Sequence, residues 1–329
     1  MILDENARRK KTAIRQKNQS TVDYLRYQRQ HDGNRNGAKP LNVLQPIRRL
    51  DPVEAARTGC PMWFLGRGFG KIHRRWGALK LNEKEIRKAW DLFHPNGDLA
   101  EIRVFKGKNA RRGYFTDAET AIQALQKLPE GTQVYHAVQK LSADFQPPNV
   151  GVFEAGKAVK DADISNYRWL ILDFDTIPAH NNSRNTTDAE LSHTLDICGE
   201  VTDTLCSVGY GFQRPAIIGS GNGYHAFFRI DLQNNNNSRN LLKNVLHTLD
   251  ALYSDDSTEI DKTVYNPSRI IRLPGTFSYK GEQNGGRFAV IEESGDNSKI
   301  NDANTLQRLS IHFEPATEAT HGNTKKAPF

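Results

Sequence analysis

One stretch, RWLILDFD at 168–175, constrains the fold of this chain more than any other. Its apolar density reads as a strand buried in the middle of a sheet, and its two acids fall where that strand ends. In a strand, residues i and i+2 point to the same side, so Asp173 and Asp175 project together. Two carboxylates held that close repel unless a cation neutralises them, and oxygen-only donors favour Mg2+ or Mn2+. The same pattern also fits a plain strand end entering a polar turn.

Around this strand the pattern alternates. EIRVFKG (101–107) and QVYHAVQK (133–140) read as strands, separated by TDAETAIQALQKL, a capped amphipathic helix. Residues 188–209 place Leu191, Leu195, Cys198, Val201, Leu205 and Val208 on one helical face, which makes Cys198 and Cys206 core residues rather than ligands. PAIIG, SGNG and YHAFFRID form a strand, a turn and a strand. A further helix near 238–254 carries Leu241, Leu242, Val245, Leu246, Leu249 and Leu252, preceded by a surface loop QNNNN (233–237). RFAVIEE (287–293) is the last expected strand. The whole indicates a mixed α/β core at 98–312. Before it lies a helical accessory segment, 51–97, in which LNEKEIRKAWDLF is a helix with Asn82 as N-cap. After it, 313–329 reads as a linker that hints at a further domain.

Charge says something about partners. The net charge is +7, yet residues 1–50 hold twelve Lys or Arg against four Asp or Glu, so the excess sits in a basic, partly disordered arm with a short helix near 5–30. Such an arm suits a phosphate backbone, and it is equally what a solvated tail looks like. No run of eighteen apolar residues exists, so no membrane partner is expected. The opening MILDENARRKK is not a secretory signal. Three cysteines (Cys60, Cys198, Cys206), none in a CxxC pair, give no disulfide framework and point to a reducing, cytoplasmic setting. With His180 and His193 they give no closed four-ligand spacing, so no zinc is expected. GRGFGK (66–71) lacks the residues of a nucleoside-triphosphatase P-loop.

Two more elements complete a constellation. Ser220, Gly221, Asn222, Gly223, Tyr224 and His225 form a glycine-rich turn whose amides could cradle phosphate oxygens beside a donating imidazole, or a simple hairpin turn with a satisfied histidine. Asp261 opens DKTVYNPSRIIRLPGT, which brings another carboxylate, then Arg269 and Arg272, and Lys280 just beyond. Asp255, Asp256 and Glu259 read as surface charges.

The order apolar-DxD, S-G-x-G-x-H, and an aspartate before V-Y-N-P-x-R-I-x-R-L-P-G-T resembles the archaeo-eukaryotic primase superfamily, closest to the primase-polymerases of phages, plasmids and mobile elements. The similarity covers about 100–295. It implies an RNA-recognition-motif-like catalytic module packed on a smaller α/β unit, that is, an α/β (α+β) fold with a basic helical N-terminal region. It implies that Asp173, Asp175 and Asp261 hold two Mg2+ or Mn2+ ions, and that Ser220, Gly221, Gly223 and His225 hold the triphosphate. Arg269, Arg272 and Lys280 become phosphate or template contacts. The implied reaction joins nucleoside triphosphates on a single-stranded DNA template and primer, in the company of a helicase domain or protein. A nuclease using the same acids and a non-catalytic replication-initiation protein are the other readings. Strand transfer of the H-x-H type lacks its histidine pair, and a dinucleotide fold would need the glycine loop to open a helix rather than a strand.

Overall fold

The computed structural model describes residues 79–177, 184–207, 209–279 and 286–310, all within the unit Trp76–Phe329. The basic arm, residues 51–78 with Cys60 and GRGFGK, His180, Val208, Lys280 and the segment 313–329 lie outside the described residues. In chain order the elements are α1 (Glu83–Phe93), β1 (Ala100–Lys106), β2 (Asn109–Phe115), α2 (Ala118–Gln126), β3 (Gln133–Ala137), β4 (Lys140–Leu141), β5 (Ile164–Thr176), α3 (Asp188–Leu205), β6 (Ala216–Gly219), β7 (Gly223–Gln233), α4 (Asn236–Tyr253), β8 (Thr258–Ile260), β9 (Ile270–Arg272), β10 (Phe277–Ser278), β11 (Arg287–Phe288), β12 (Val290–Glu293) and α5 (Ala303–Ser310). The fold is mixed α/β.

The apolar stretch lies inside β5, which is the centre of a six-stranded antiparallel sheet. The order is β12-β6-β7-β5-β4, with β8 pairing the carboxyl end of β5 on the side that β4 leaves open. A bulge between Tyr167 and Trp169 interrupts the β5–β7 ladder. On the other edge of β5, between β4 and β8, Gln139 accepts from the amides of Arg168 and Trp169 and donates to the Trp169 carbonyl. A second antiparallel sheet runs β2-β1-β3-β9. Two short pieces, β10 and β11, pair with each other.

Alternation sorts β5 into two faces. Leu170, Leu172 and Phe174 point to the face covered by α3, where Thr194 of the helix shares a hydrogen bond of 3.0 Å with Thr258 of β8. Trp169, Ile171, Asp173 and Asp175 point to the opposite face. There the end of α1 enters: the Phe93 ring meets Phe227 at 4.9 Å, His136 at 5.1 Å and Trp169 at 5.5 Å, all edge-on. Such tilted aromatic pairs add about 0.5–1.5 kcal/mol each beyond the area they bury. Although it falls in the segment read as accessory, α1 thus packs Ile86, Ala89, Trp90 and Phe93 into the main core.

Local signals place the helix starts. Asn82 accepts from the Glu85 amide at α1, Asp117 from Thr120 at α2, and Thr187 forms a reciprocal pair with Glu190 at α3. The asparagine tract is not a loop throughout: Gln233 ends β7, and Asn235 caps α4, which begins at Asn236. RFAVIEE is divided at Ala289 between β11 and β12, which join different partners. The short helix α5 follows it, with Leu306 and Leu309 buried. Cys198 is buried in the core, and burial pushes its thiol up to about 12. The half-buried Cys206 thiol is pushed up to about 11 for the same reason. No helix among the described residues is long and apolar enough to cross a membrane.

His94, the C-cap of α1, hydrogen-bonds His136 of β3 at 3.0 Å, and both are buried. Burial, assisted by the charge of Arg168, pushes His94 down to about 3, and burial lowers His136 well below its ordinary value. Unfolding therefore takes up protons that the folded chain refuses. The stabilisation is complete above the unfolded histidine value of 6.5 and is lost as pH falls from there toward the folded value of about 3. In urea titrations the unfolding midpoint should drop between about pH 7 and about pH 5, before most carboxylates titrate. His94→Gln should flatten that drop; an equally steep one in the variant would take His94 out of the account.

Candidate active site

The site face is assembled by register. Asp173 of β5 lies opposite His225 of β7, and Asp175 lies opposite Gly223. On the other side of β5, Phe174 pairs with Ile260 and Asp175 with Glu259 of β8. The ladder continues one step, with the Asp261 amide donating to the Asp173 carbonyl at 2.9 Å. Residues directly opposite one another in antiparallel strands share a face. His225, Asp173 and Asp261 therefore stand in one row across three strands, with Asp175 and Glu259 in the next.

The segment after β8 folds back over this row. The Asp261 carboxylate accepts from the Thr263 amide at 2.7 Å and so starts a turn. Val264 is buried in the core, and the Tyr265 carbonyl accepts from the Tyr167 hydroxyl at 3.0 Å. Ser268 is tied to Asp161 by its amide and its hydroxyl. Held this way, Arg269 reaches Asp261 at 2.9 Å and Asp173 at 4.0 Å.

Charge is concentrated here with little solvent. The Asp173, Asp261 and Arg269 side chains are 15%, 23% and 32% exposed. His225 Nε2 lies 3.1 Å from Asp173 Oδ1, while its Nδ1 is buried and has no hydrogen-bond partner. Burial works to lower the His225 pKa, but Asp173 and then Asp175 act against it, and the net direction is up. The pairing therefore stabilises the fold most below the ordinary histidine value, and that contribution is lost as pH rises through the raised one.

The glycine turn is tied down from several directions. Ser220 donates from both its amide and its hydroxyl to the Gly223 carbonyl, so its hydroxyl is engaged within the turn itself. Gly221 has φ of +92°, a region only glycine enters freely, and a Cβ there would press on Ser278 and the Arg287 carbonyl. A Cβ at Gly223 would run into the Phe174 carbonyl of β5. Asn222 accepts from the Thr186 amide and donates to the Ser278 hydroxyl, and its carbonyl accepts from Thr176 and Thr186. Arg287 donates to the carbonyls of Gly221 and Thr186 and pairs with Asp188.

The structure thus gathers Asp173, Asp175, His225, Asp261 and Arg269, with the Ser220–Gly223 turn at the adjoining end of the β5–β7 pair. It does not bring Arg272 there. That guanidinium stacks on Tyr135 of β3, on the face opposite the one from which His136 meets Phe93. Lys280 is outside the described residues. Glu259, read from sequence as a surface charge, faces Asp175. Its signal was the two-residue spacing from Asp261, which in a strand means a common face. Asp255 goes elsewhere, bonding His193 at 2.7 Å and the amides of Ser257 and Thr258.

Chemically, four carboxylates on adjacent strands, with no thiolate among them, are a donor set for a hard divalent cation. Among the described residues no three His, Cys, Asp or Glu side chains are already drawn into a metal-holding group. Arg269, between Asp173 and Asp261, takes the counter-ion's part in this arrangement.

No protein-family profile matches the chain, and neither does any curated protein. Among solved structures it is similar to the crystal structure of primase RepB′, at 14% identity and a TM-score of 0.37 over 70% of this chain. The match spans 62% of that protein's length. A likeness of that degree leaves function to be argued from the residues.

The pairing of Glu259 with Asp175 is of like charges, which costs a sheet about 0.2–1 kcal/mol. Glu259→Gln should therefore raise the thermal midpoint at low ionic strength without divalent ions; a lowered midpoint would mean Glu259 is held by a favourable contact instead.

Proposed function

We propose that this chain is a nucleotidyl transferase of the primase-polymerase type, joining nucleoside triphosphates on a DNA template. The observation that carries the reading is the single row of His225, Asp173 and Asp261 over three adjacent strands, capped by Arg269. A structural ion pair needs one acid for one base. Here Asp173 and Asp261 share Arg269, and Asp173 also meets His225, beside a turn with two free amides: among the described residues, those of Gly221 and Asn222 make no hydrogen bond. In this reading β5, β7 and β8 belong to the RNA-recognition-motif-like module and the β2-β1-β3-β9 sheet to the smaller unit.

Asp173, Asp175 and Asp261 would hold two Mg2+ or Mn2+ ions, with Glu259 near enough in register to assist. When bound, such ions supply charge neutralisation at the reacting phosphate and a lowered pKa for the attacking hydroxyl. The chain's own groups do the rest. Arg269 exchanges its carboxylates for a phosphate oxygen, to which its guanidinium offers a fork of donors. The Gly221 and Asn222 amides receive the other phosphate oxygens. His225 orients the Asp173 carboxylate through Nε2, and the clamp of Thr176, Thr186, Ser278 and Arg287 keeps the turn from yielding as the triphosphate enters. A helicase partner and a preference for single-stranded template belong to this proposal as well.

Primer extension and de novo synthesis on single-stranded DNA, with ribo- or deoxynucleotides and either ion, test it. Asp173→Asn and Asp175→Asn should each reduce nucleotide addition on the order of 100- to 1000-fold while leaving DNA binding intact. Full activity in the double variant would remove the acids from catalysis. His225→Ala should lower kcat with little change in the apparent nucleotide KM; a raised KM with kcat unchanged would make the histidine a nucleotide contact instead. Labelled DNA shortened in Mn2+ without nucleotides, and only when Asp173 is intact, would make the site a nuclease instead.

A further inference from the structure

The second sheet carries a charge pattern that the acid site does not use. Residues 102–116 contain Arg103, Lys106, Lys108, Arg111 and Arg112 and no acid at all. They form the β1–β2 hairpin, and its register continues across the sheet. Arg112 lies opposite Arg103, Arg103 opposite Tyr135, and Tyr135 opposite Arg272. One row spanning all four strands thus reads Arg112, Arg103, Tyr135, Arg272, on the face turned away from His136 and Phe93. The next row sets Ala110, Phe105 and Gln133 side by side, with the Phe105 ring edge-on to Tyr135 at 5.7 Å.

This row is under-served by the protein itself. Like charges directly opposite destabilise a sheet, and Arg103 and Arg112 are such a pair. Arg103 pairs with the buried Glu101 at 2.7 Å and also donates to the Val159 carbonyl, while Glu154, bridged opposite Arg112, extends the row without forming an ion pair with it among the described residues. Arg112 Nε is buried without a partner. Arg272 is 7% exposed, bonds only the Tyr135 hydroxyl at 2.9 Å among the described residues, and leaves Nη1 buried and unpartnered. Its guanidinium carbon lies 4.8 Å from the Tyr135 ring centre, so the tyrosine is held between a cation and the edge-on Phe105 of the next row. At the hairpin tip Lys108 and Arg111 are exposed, and neither forms an ion pair with any described residue. Glu130, whose carbonyl accepts from Lys106, is paired to Lys80.

We infer that this face of the β2-β1-β3-β9 sheet binds an unpaired polynucleotide strand. The exposed tip cations Lys108 and Arg111, with the half-buried Arg112, answer a chain of phosphates. Half-buried Phe105, backed by Tyr135, offers a ring to bases that are not already stacked in a duplex. An acidic peptide would use the cations and leave the aromatics idle. The inference shares only its nucleic-acid partner with the proposed function, and holds whether or not the acid row is catalytic.

Fluorescence anisotropy of a labelled oligo-dT strand with the full chain, over a range of salt, tests it. Lys108→Gln, Arg111→Gln and Arg112→Gln combined should weaken binding about tenfold or more and reduce the slope of log affinity against log salt by about 2, at roughly 0.7 per phosphate contact. Phe105→Leu should weaken oligo-dT binding about tenfold while leaving the slope, and competition by heparin, unchanged. The same losses are expected with oligo-rU, whose phosphates and bases present the same groups. Unchanged affinity and slope in the triple variant would overturn the inference, as would equal losses of heparin and oligo-dT binding in Phe105→Leu. Should the triple variant fail to fold, ultraviolet cross-linking of a bromodeoxyuridine strand to the native chain decides. Adducts within 102–116 or at Tyr135 are expected, and adducts confined to other segments would overturn it. Asp173→Asn chain, tested in parallel, should bind as the native chain does, which separates this surface from catalysis.

Discussion

From Trp169 to Asp175, β5 is paired residue for residue with β7, from Arg229 back to Gly223, and a slip of one position would turn every side chain of one strand to the opposite face. Apolar packing prevents that slip. Leu170, Leu172 and Phe174 share one face with Phe228, Ala226 and Tyr224, while Ile171 shares the other with Phe227. The register also fixes the turn: with Asp175 opposite Gly223, the close approach of the Phe174 carbonyl leaves no room for a side chain there. Asp173 meets His225 because these apolar pairs leave no other alignment.

The acid row is tolerable because its surroundings are rigid and partly compensating. Arg269 and His225 supply positive charge to Asp173 and Asp261, and the loop that carries Arg269 is pinned by Val264, Tyr167 and Asp161. Beneath the same face, Phe93 ties the two sheets together through Phe227, Trp169 and His136. Glu259 and Asp175 nevertheless stand opposite each other in the ladder, like charge against like. Sites that retain like charge in place of well-paired residues commonly do so for function at some cost to stability.

Much of this was legible from pattern. The cap at Asn82, the faces of α3 and α4, and the strand with its paired acids all follow from short-range pattern, which the backbone obeys locally. What was not legible depends on partners far away in sequence. RFAVIEE looks like one strand, yet Phe288 and Val290 pair with different elements. The helix α5 has only Leu306 and Leu309 to mark it, too few for a period, and becomes a helix by docking on α4. The segment of α1 reads as an appendage because nothing in its own residues says that Phe93 will sit between two sheets.

By itself, then, the sequence determined that Asp173 and Asp175 share a face, that a glycine turn precedes His225, and that Asp261 and Arg269 follow on one short segment. Side-chain alternation along a strand is a local property and needs no partner to be read. Only the tertiary structure decided that Glu259 joins Asp175, and that Arg269 and Arg272, three residues apart, go to different places. Arg269 lies on a loop closed against β5, whereas Arg272 lies in a strand whose face is set by its pairing with Tyr135. Cross-strand register brings together residues more than a hundred positions apart, and no local period encodes it.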